Sequence, residues 1–241
     1  MYKYSLLAGE ATGNSLSEKI EFAMKCGIYD IELQNNFLKL DIAQPALINQ
    51  YRNLLITTGA RLLVYEAGSE LDQRTATEIF FAQAMQLSIK MVKIHPDQLT
   101  EDSLDYIEKV AAVYGIDIVI ENKVDELARS SDLEAVLSKY DSFGLIVNPQ
   151  EYAALRRHPF FNEFYKSKLK SKVRIIRVAD AYFADRSPAM PGKGDAEIKE
   201  LTSMMLSRSY DGYFSFIVKD KDDLDSVMKS MEMFRHLLIE M

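Results

Sequence analysis

The chain has 241 residues, 48% of them apolar and 27% charged, enough to bury a large core. A net charge of -7 and a pI near 5.1 argue against a surface built for nucleic-acid phosphates, while leaving room for local positive charge in a cleft. The single cysteine, Cys26, excludes an intramolecular disulfide and a thiolate metal cluster, and no stretch approaches the roughly 18 to 20 apolar residues that cross a bilayer.

The predicted elements alternate from the start. Lys3 to Ala8 reads as strand one, and Ser15 with Glu18 three residues on is a capping signal for the first helix. Cys26 falls at the end of that amphipathic helix, where a packed thiol is expected. Strand two spans 29–34, and Pro45 sits well inside the first turn of a helix running to about Thr58. Strand three is 61–66, a helix covers Arg74 to Leu87, and strand four is 91–95. Thr100 caps a helix that ends near Tyr114 and Gly115, strand five is 116–121, and Val124 to Lys139 is predicted helical. Strand six is 143–148, followed by helical segments near 150–157 and 159–170 and by strand seven at 173–179. A loop with Pro188, Pro191, Gly192 and Gly194 leads to a helix from Asp195 to Arg208, then strand eight from Tyr213 to Val218 and a last helix from about Asp222 to Ile239.

Eight βα units without a linker or low-complexity break predict an α/β protein built as a single (β/α)8 TIM barrel over 1–241, with an open doubly wound sheet as the structural alternative. The strands are short, apolar and β-branched, as buried parallel strands are. Several end in polar residues: Gln34, Glu66, His95, Glu121 and Asn148. In such folds the C-terminal strand ends carry the site. Residues 1–7 lack the apolar centre and cleavage pattern of a signal peptide, so a cytoplasmic protein with no membrane partner is expected.

Several segments, in order from strand two to strand eight, resemble the strand-end motifs of the xylose isomerase-like TIM barrels. They are 27–33, Val92-Lys-Ile-His-Pro96, Ile118-Val-Ile-Glu-Asn122, 144–149, Ile176-Arg-Val-Ala-Asp180, Met190-Pro-Gly-Lys-Gly-Asp195 and 210–217. That superfamily includes sugar isomerases and epimerases, hydroxypyruvate isomerase, inosose dehydratase and endonuclease IV; 177–180, Arg186 and 191–195 look most like the hydroxypyruvate isomerase branch. The resemblance implies one divalent metal held by a glutamate ending strand five, an aspartate ending strand six, a histidine or glutamine on strand seven and a glutamate ending strand eight. Here those positions carry Glu121, Asn148, Arg177 and Ile217, or its neighbour Val218. Arginine and isoleucine supply no ligand to a hard cation, so no metal site is expected and Mn or Mg is disfavoured as a cofactor.

The expectation is therefore a proton-transfer site with Arg177 in the place of the cation, paired with Glu121. Glu121 is the candidate base, His95 or Lys93 the acid, and Arg177 the electrophile. Glu32, Glu66, Lys93, Asn148, Arg186 and Lys193 are the candidate substrate-binding residues. Glu32 is equally a structural partner for a neighbouring strand, and Glu66 equally a loop cap. Lys123, Arg186 and Lys193, with Lys93 and Arg177, are read either as a local anion site or as solvated loop cations. Asp180 is expected to hold the loop after strand seven, and Phe160 to Tyr165 to pack on the barrel or on a second copy in a homo-oligomer. His158 and His236 read as helix-surface residues without an evident partner.

Two functional classes follow. One is an isomerase or epimerase acting on a small hydroxy-carbonyl compound or sugar acid; the other is a non-catalytic barrel that binds a sugar or sugar acid. Nucleic-acid repair fits badly, because a zinc site rich in His, Asp and Glu is not available from three histidines in an acidic chain.

Overall fold

The computed structural model describes residues 2–124, 127, 129–218 and 224–241. Among these, the strands in chain order are β1 (Lys3–Ala8), β2 (Asp30–Leu33), β3 (Arg61–Glu66), β4 (Met91–Lys93), β5 (Asp117–Glu121), β6 (Gly144–Val147), β7 (Val173–Arg177), β8 (Asp180–Ala181), β9 (Pro188–Ala189) and β10 (Tyr213–Ile217). The helices are α1 (Leu16–Lys25), α2 (Pro45–Thr58), α3 (Arg74–Gln86), α4 (Glu101–Tyr114), α5 (Ser130–Lys139), α6 (Pro149–Ala154), α7 (Ile198–Leu206) and α8 (Leu224–Ile239). The fold class is a (β/α)8 barrel, its strands closed in the order β1-β10-β7-β6-β5-β4-β3-β2; β8 and β9 form a separate antiparallel pair. Among the described residues no helix is long and apolar enough to cross a membrane.

The chain divides into two compact units. One holds 5–120 and Val218; the other holds 2–4, 224–241 and the described part of 121–217. In the first, β1 pairs with β2, β2 with β3, β3 with β4 and β4 with β5, all parallel. The β3 to β4 register sets Glu66 beside Lys93, and a slip between Ile31 and Glu32 bends β2 against β3. In the second unit β7 lies between β6 and β10, and Ser215 stands opposite Arg177. Strands covered on both faces have no polar side to alternate with, which is why β6 reads as Gly-Leu-Ile-Val and is buried throughout.

Local signals place most helix ends. The Ser15 hydroxyl accepts from the Glu18 amide while the Glu18 carboxylate accepts from the Ser15 amide, a reciprocal capping box. Thr100 caps α4, and Gly115 ends it in the left-handed conformation with φ 65°. Pro45 is the first residue of α2 rather than lying deeper in its first turn, the position where a missing N–H costs nothing.

Other boundaries differ from expectation. The helix predicted from Val124 begins at Ser130; within the preceding stretch Asp125, Glu126 and Ala128 lie outside the described residues. The segment predicted as one helix over 159–170 is a π-helical turn at Pro159–Phe164 followed by a 3-10 turn at Lys168–Lys172. Glu197 caps the first of these turns, its carboxylate accepting from the Phe160 and Phe161 amides at 2.8 and 3.2 Å. Strand seven stops at Arg177, and the residues after it turn away into β8. The helix predicted from Asp195 begins at Ile198, behind Glu197 at φ 49°. At the C-terminus, 222 and 223 lie outside the described residues and α8 runs from Leu224.

Candidate functional site

Each unit carries a buried polar cluster at the C-terminal ends of its strands. In the unit built from 5–120, Glu66 at the end of β3 meets Lys93 at the end of β4, with Lys93 Nζ 2.5 Å from Oε2; His95 Nε2 is 3.4 Å from Oε1. Burial would raise the Glu66 carboxyl, but the His95 contact and the Lys93 ammonium outweigh it and hold the group at about 2. Glu32, on β2, is fully buried and accepts from the Ser5 hydroxyl of β1 at 2.7 Å. This contact ties β1 to β2.

The loop after β2 is tied to the same unit by Tyr65. Its hydroxyl accepts from the Leu38 amide at 2.7 Å and donates to Asn36 Oδ1 at 2.9 Å, while the Asn36 amide donates to the Glu66 carbonyl. Asn35 and Asn36 hold φ values of 55° and 44°, which asparagine tolerates better than most residues. Lys19, from α1, is buried beside this loop, donates to the Gly9 carbonyl and lies 4.6 Å from the centre of the Phe37 ring. Burial lowers the Lys19 ammonium from its ordinary value.

In the unit holding 121–217, Arg177 at the end of β7 forks onto Glu121 at the end of β5. Nε donates to Oε1 at 2.9 Å and Nη2 to Oε2 at 3.1 Å. Nη1 donates to the Ser215 hydroxyl of β10 at 2.7 Å. Arg177 is 1% exposed, so its charge is answered by protein groups. Next to this pair, Asn122 and Asn148 lock the ends of β5 and β6 together: Asn122 Nδ2 donates to the Asn148 carbonyl at 2.9 Å and the Asn148 amide donates to Asn122 Oδ1 at 2.7 Å. Asn148 Oδ1 is buried without a hydrogen-bond partner among the described residues.

Asp180 organises the loop between β8 and α7. Its Oδ1 accepts from the Ala181 and Ala196 amides at 2.9 and 3.0 Å, and its Oδ2 from Gly192 and Gly194 at 2.9 and 3.0 Å. This is the loop-holding role expected of it. Arg186 and Lys193 lie on this segment with exposed side chains, Arg186 at φ 63°. The two buried cations of the anticipated anion site, Lys93 and Arg177, are each engaged with a carboxylate. His158 is not partnerless: Nδ1 is 3.3 Å from Glu197 Oε1 and the ring packs on Phe183. In 160–165 Phe164 is buried against Tyr152, whereas Phe161 is 70% exposed.

A divalent cation does not fit the donor set around Glu121. Both Glu121 oxygens accept from Arg177, a guanidinium cannot coordinate, and Ile217 brings no donor atom. Asn148 Oδ1 is a neutral oxygen. Among the described residues no group of three or more His, Cys, Asp or Glu side chains is placed to hold a metal ion.

Ser215 and Asn122 are the members of this cluster that sequence reasoning missed. A serine between two phenylalanines in an apolar strand, and an asparagine directly after the strand-five glutamate, were the available signals.

No family model and no curated protein matches the chain. Solved structures do. A xylose isomerase-like TIM barrel/4-hydroxyphenylpyruvate dioxygenase fusion protein aligns at TM-score 0.73 and 17% identity over 98% of this chain, which spans 42% of that protein. A D-tagatose 3-epimerase-like protein aligns at 0.72 and 16% identity, over 97% of this chain and 96% of its own. A sugar phosphate isomerase/epimerase from Parabacteroides distasonis aligns at 0.71 and 12% identity, over 96% and 92% respectively. Identities this low establish the fold and leave the activity to the site. The chain has the fold of the xylose isomerase-like TIM barrels.

Proposed function

We propose that this chain is an isomerase or epimerase-type barrel that moves a proton at the carbon beside the carbonyl of a small hydroxy-carbonyl compound or sugar acid, without a divalent metal. The observation that carries this reading is the two-point Arg177 to Glu121 pair at the ends of β7 and β5. In this scheme substrate oxygens take over part of the guanidinium fork and free one Glu121 oxygen. That oxygen removes the proton, the electron pair moves onto the carbonyl oxygen, and Arg177 stabilises the enediolate. Glu121 then returns the proton to the neighbouring carbon while the proton of the substrate hydroxyl passes to the former carbonyl oxygen, so one base completes an isomerisation. Ser215 keeps the guanidinium in place through Nη1.

The test is solvent exchange. A panel of short aldoses, ketoses and hydroxy-oxo acids incubated in D2O with chelator and followed by proton NMR is expected to lose the signal of the hydrogen beside the carbonyl for at least one member. Glu121→Gln is expected to abolish the exchange. Arg177→Lys keeps the charge but loses the fork, and is expected to slow turnover by about 100-fold or more. A second reading, binding without turnover, is favoured by the engagement of both Glu121 oxygens. It predicts ligand-dependent stabilisation with no deuterium incorporation for any member of the panel.

A further inference from the structure

At the opposite end of β7 from Arg177 lies a cavity of about 560 Å³. It is bounded by the 3-10 turn Lys168–Lys172, by the first residues of β7 and by the 209–212 connection that leads from α7 into β10. Four cationic residues line it: Lys168, Lys170, Arg174 and Arg208. Four positive charges on one cavity are unexpected in a chain of net charge -7. Among the described residues none of the four is in ion-pair contact with a carboxylate. Asp211 is the acidic residue of the lining, and its carboxylate is engaged 2.8 Å from Lys3 Nζ.

The cations are oriented without being neutralised. Lys170 Nζ donates to the Tyr165 carbonyl at 2.8 Å, Arg174 Nη1 to the Ser171 carbonyl at 3.2 Å and Arg208 Nη1 to the Met204 carbonyl at 3.1 Å. Neutral oxygens fix where these three side chains point and leave their charges to an outside partner. Burial, and after it the charge of Arg208, lower the Lys170 ammonium from its ordinary value. The wall is rigid. The Tyr210 hydroxyl lies 3.1 Å from the Arg174 carbonyl and 2.9 Å from that of Tyr213. A Cβ on Gly212 would sit 2.3 Å from the Arg174 carbonyl, so only glycine allows this approach. Met205, Val173 and the Tyr210 ring supply apolar surface beside the charges.

We infer that this cavity is an anion site for a small organic phosphate carrying two or more negative charges, its phosphate held by Lys170, Arg174 and Arg208 and its carbon frame against Met205 and Tyr210. Arginine forks onto phosphate oxygens, and the volume suits a small metabolite. Because the parallel register of β7 and β10 places it at their N-terminal ends, a ligand here does not touch Glu121 or Arg177. The site is therefore separate from the proposed proton-transfer chemistry.

Isothermal titration with inorganic pyrophosphate tests it on the full chain. The expected result is saturable single-site binding, weakened at least about tenfold in Arg208→Met and in Lys170→Met and weakened again by raised salt. Lys109→Met/Lys229→Met, two exposed lysines elsewhere, controls for net charge and is expected to bind within about twofold of the parent. Either cavity variant suffices if the other fails to fold. No saturable heat, or equal weakening in the control pair, overturns the site.

Discussion

Arg177 is a bulky charged side chain shut away from solvent, and its burial is tolerable because Glu121 and Ser215 take its donors. Removing one partner of such a pair strands the other. Arg177→Met is therefore expected to lower stability by about 3 to 5 kcal/mol in urea unfolding, and adding Glu121→Gln to recover a large share of that loss. Glu66 makes the second residue-scale prediction. Its folded value near 2 lies below the ordinary 4.5, so the pair with Lys93 and His95 contributes stability that is fully present above about pH 4.5 and is lost as the pH falls toward 2. The loss is on the order of 3 kcal/mol. Unfolding free energy measured between pH 2 and 6 is expected to show this slope in the parent and a shallower one in Glu66→Gln. Cys26 is the third: it is buried, and burial pushes its thiol up to about 11, so a thiol reagent at pH 7.5 is expected to modify it only in denaturant.

At the scale of elements, the loop between β8 and α7 depends on one carboxylate that satisfies four backbone amides. Asp180→Ala leaves those amides unpaired, and a loss of roughly 3 kcal/mol or more is expected in urea unfolding. Gly194→Ala is expected to act on the same loop, because its Cβ would lie 2.4 Å from Asp180 Oδ1 and 2.6 Å from the Ala181 carbonyl. Elements whose determinants are local were legible: the capping box at Ser15 and Glu18, the Thr100 cap and the Gly115 stop each act within a few residues. Elements decided from a distance were not. Phe160 to Tyr165 has a helical spacing of aromatics, yet Glu197, about 36 residues on, sets the start of its π turn. The sequence predicts strand seven through Ala179 because Val178 and Ala179 are apolar; Asp180 turns the chain into β8 by binding amides up to 16 residues away.

For the whole molecule, the charge balance gives a prediction of its own. Net charge passes through zero near pH 5.1, so light scattering at low salt is expected to show maximal self-association there and dispersal as the pH rises toward 7. The two-point guanidinium pair gives another: chelator-treated protein titrated with manganese, magnesium, cobalt or zinc is expected to show no saturable rise in Tm, and one lost in Glu121→Ala would restore a metal site. The sequence by itself pointed to eight βα units and to where each strand lies, because buried parallel strands are continuous apolar runs and the amphipathic stretches between them can be counted. The candidate pair of Arg177 and Glu121 came from the resemblance to the xylose isomerase-like barrels, because the two residues fall on positions where that resemblance implies metal ligands. Only the tertiary structure decided how these charges are answered. Whether Arg177 forks onto Glu121, whether Lys93 meets Glu66, and whether Lys170 and Arg208 face one cavity depend on register between strands and on contacts between residues tens of positions apart. Periodicity carries no record of such contacts, because it reports which face of an element is buried and not which charge lies across from it.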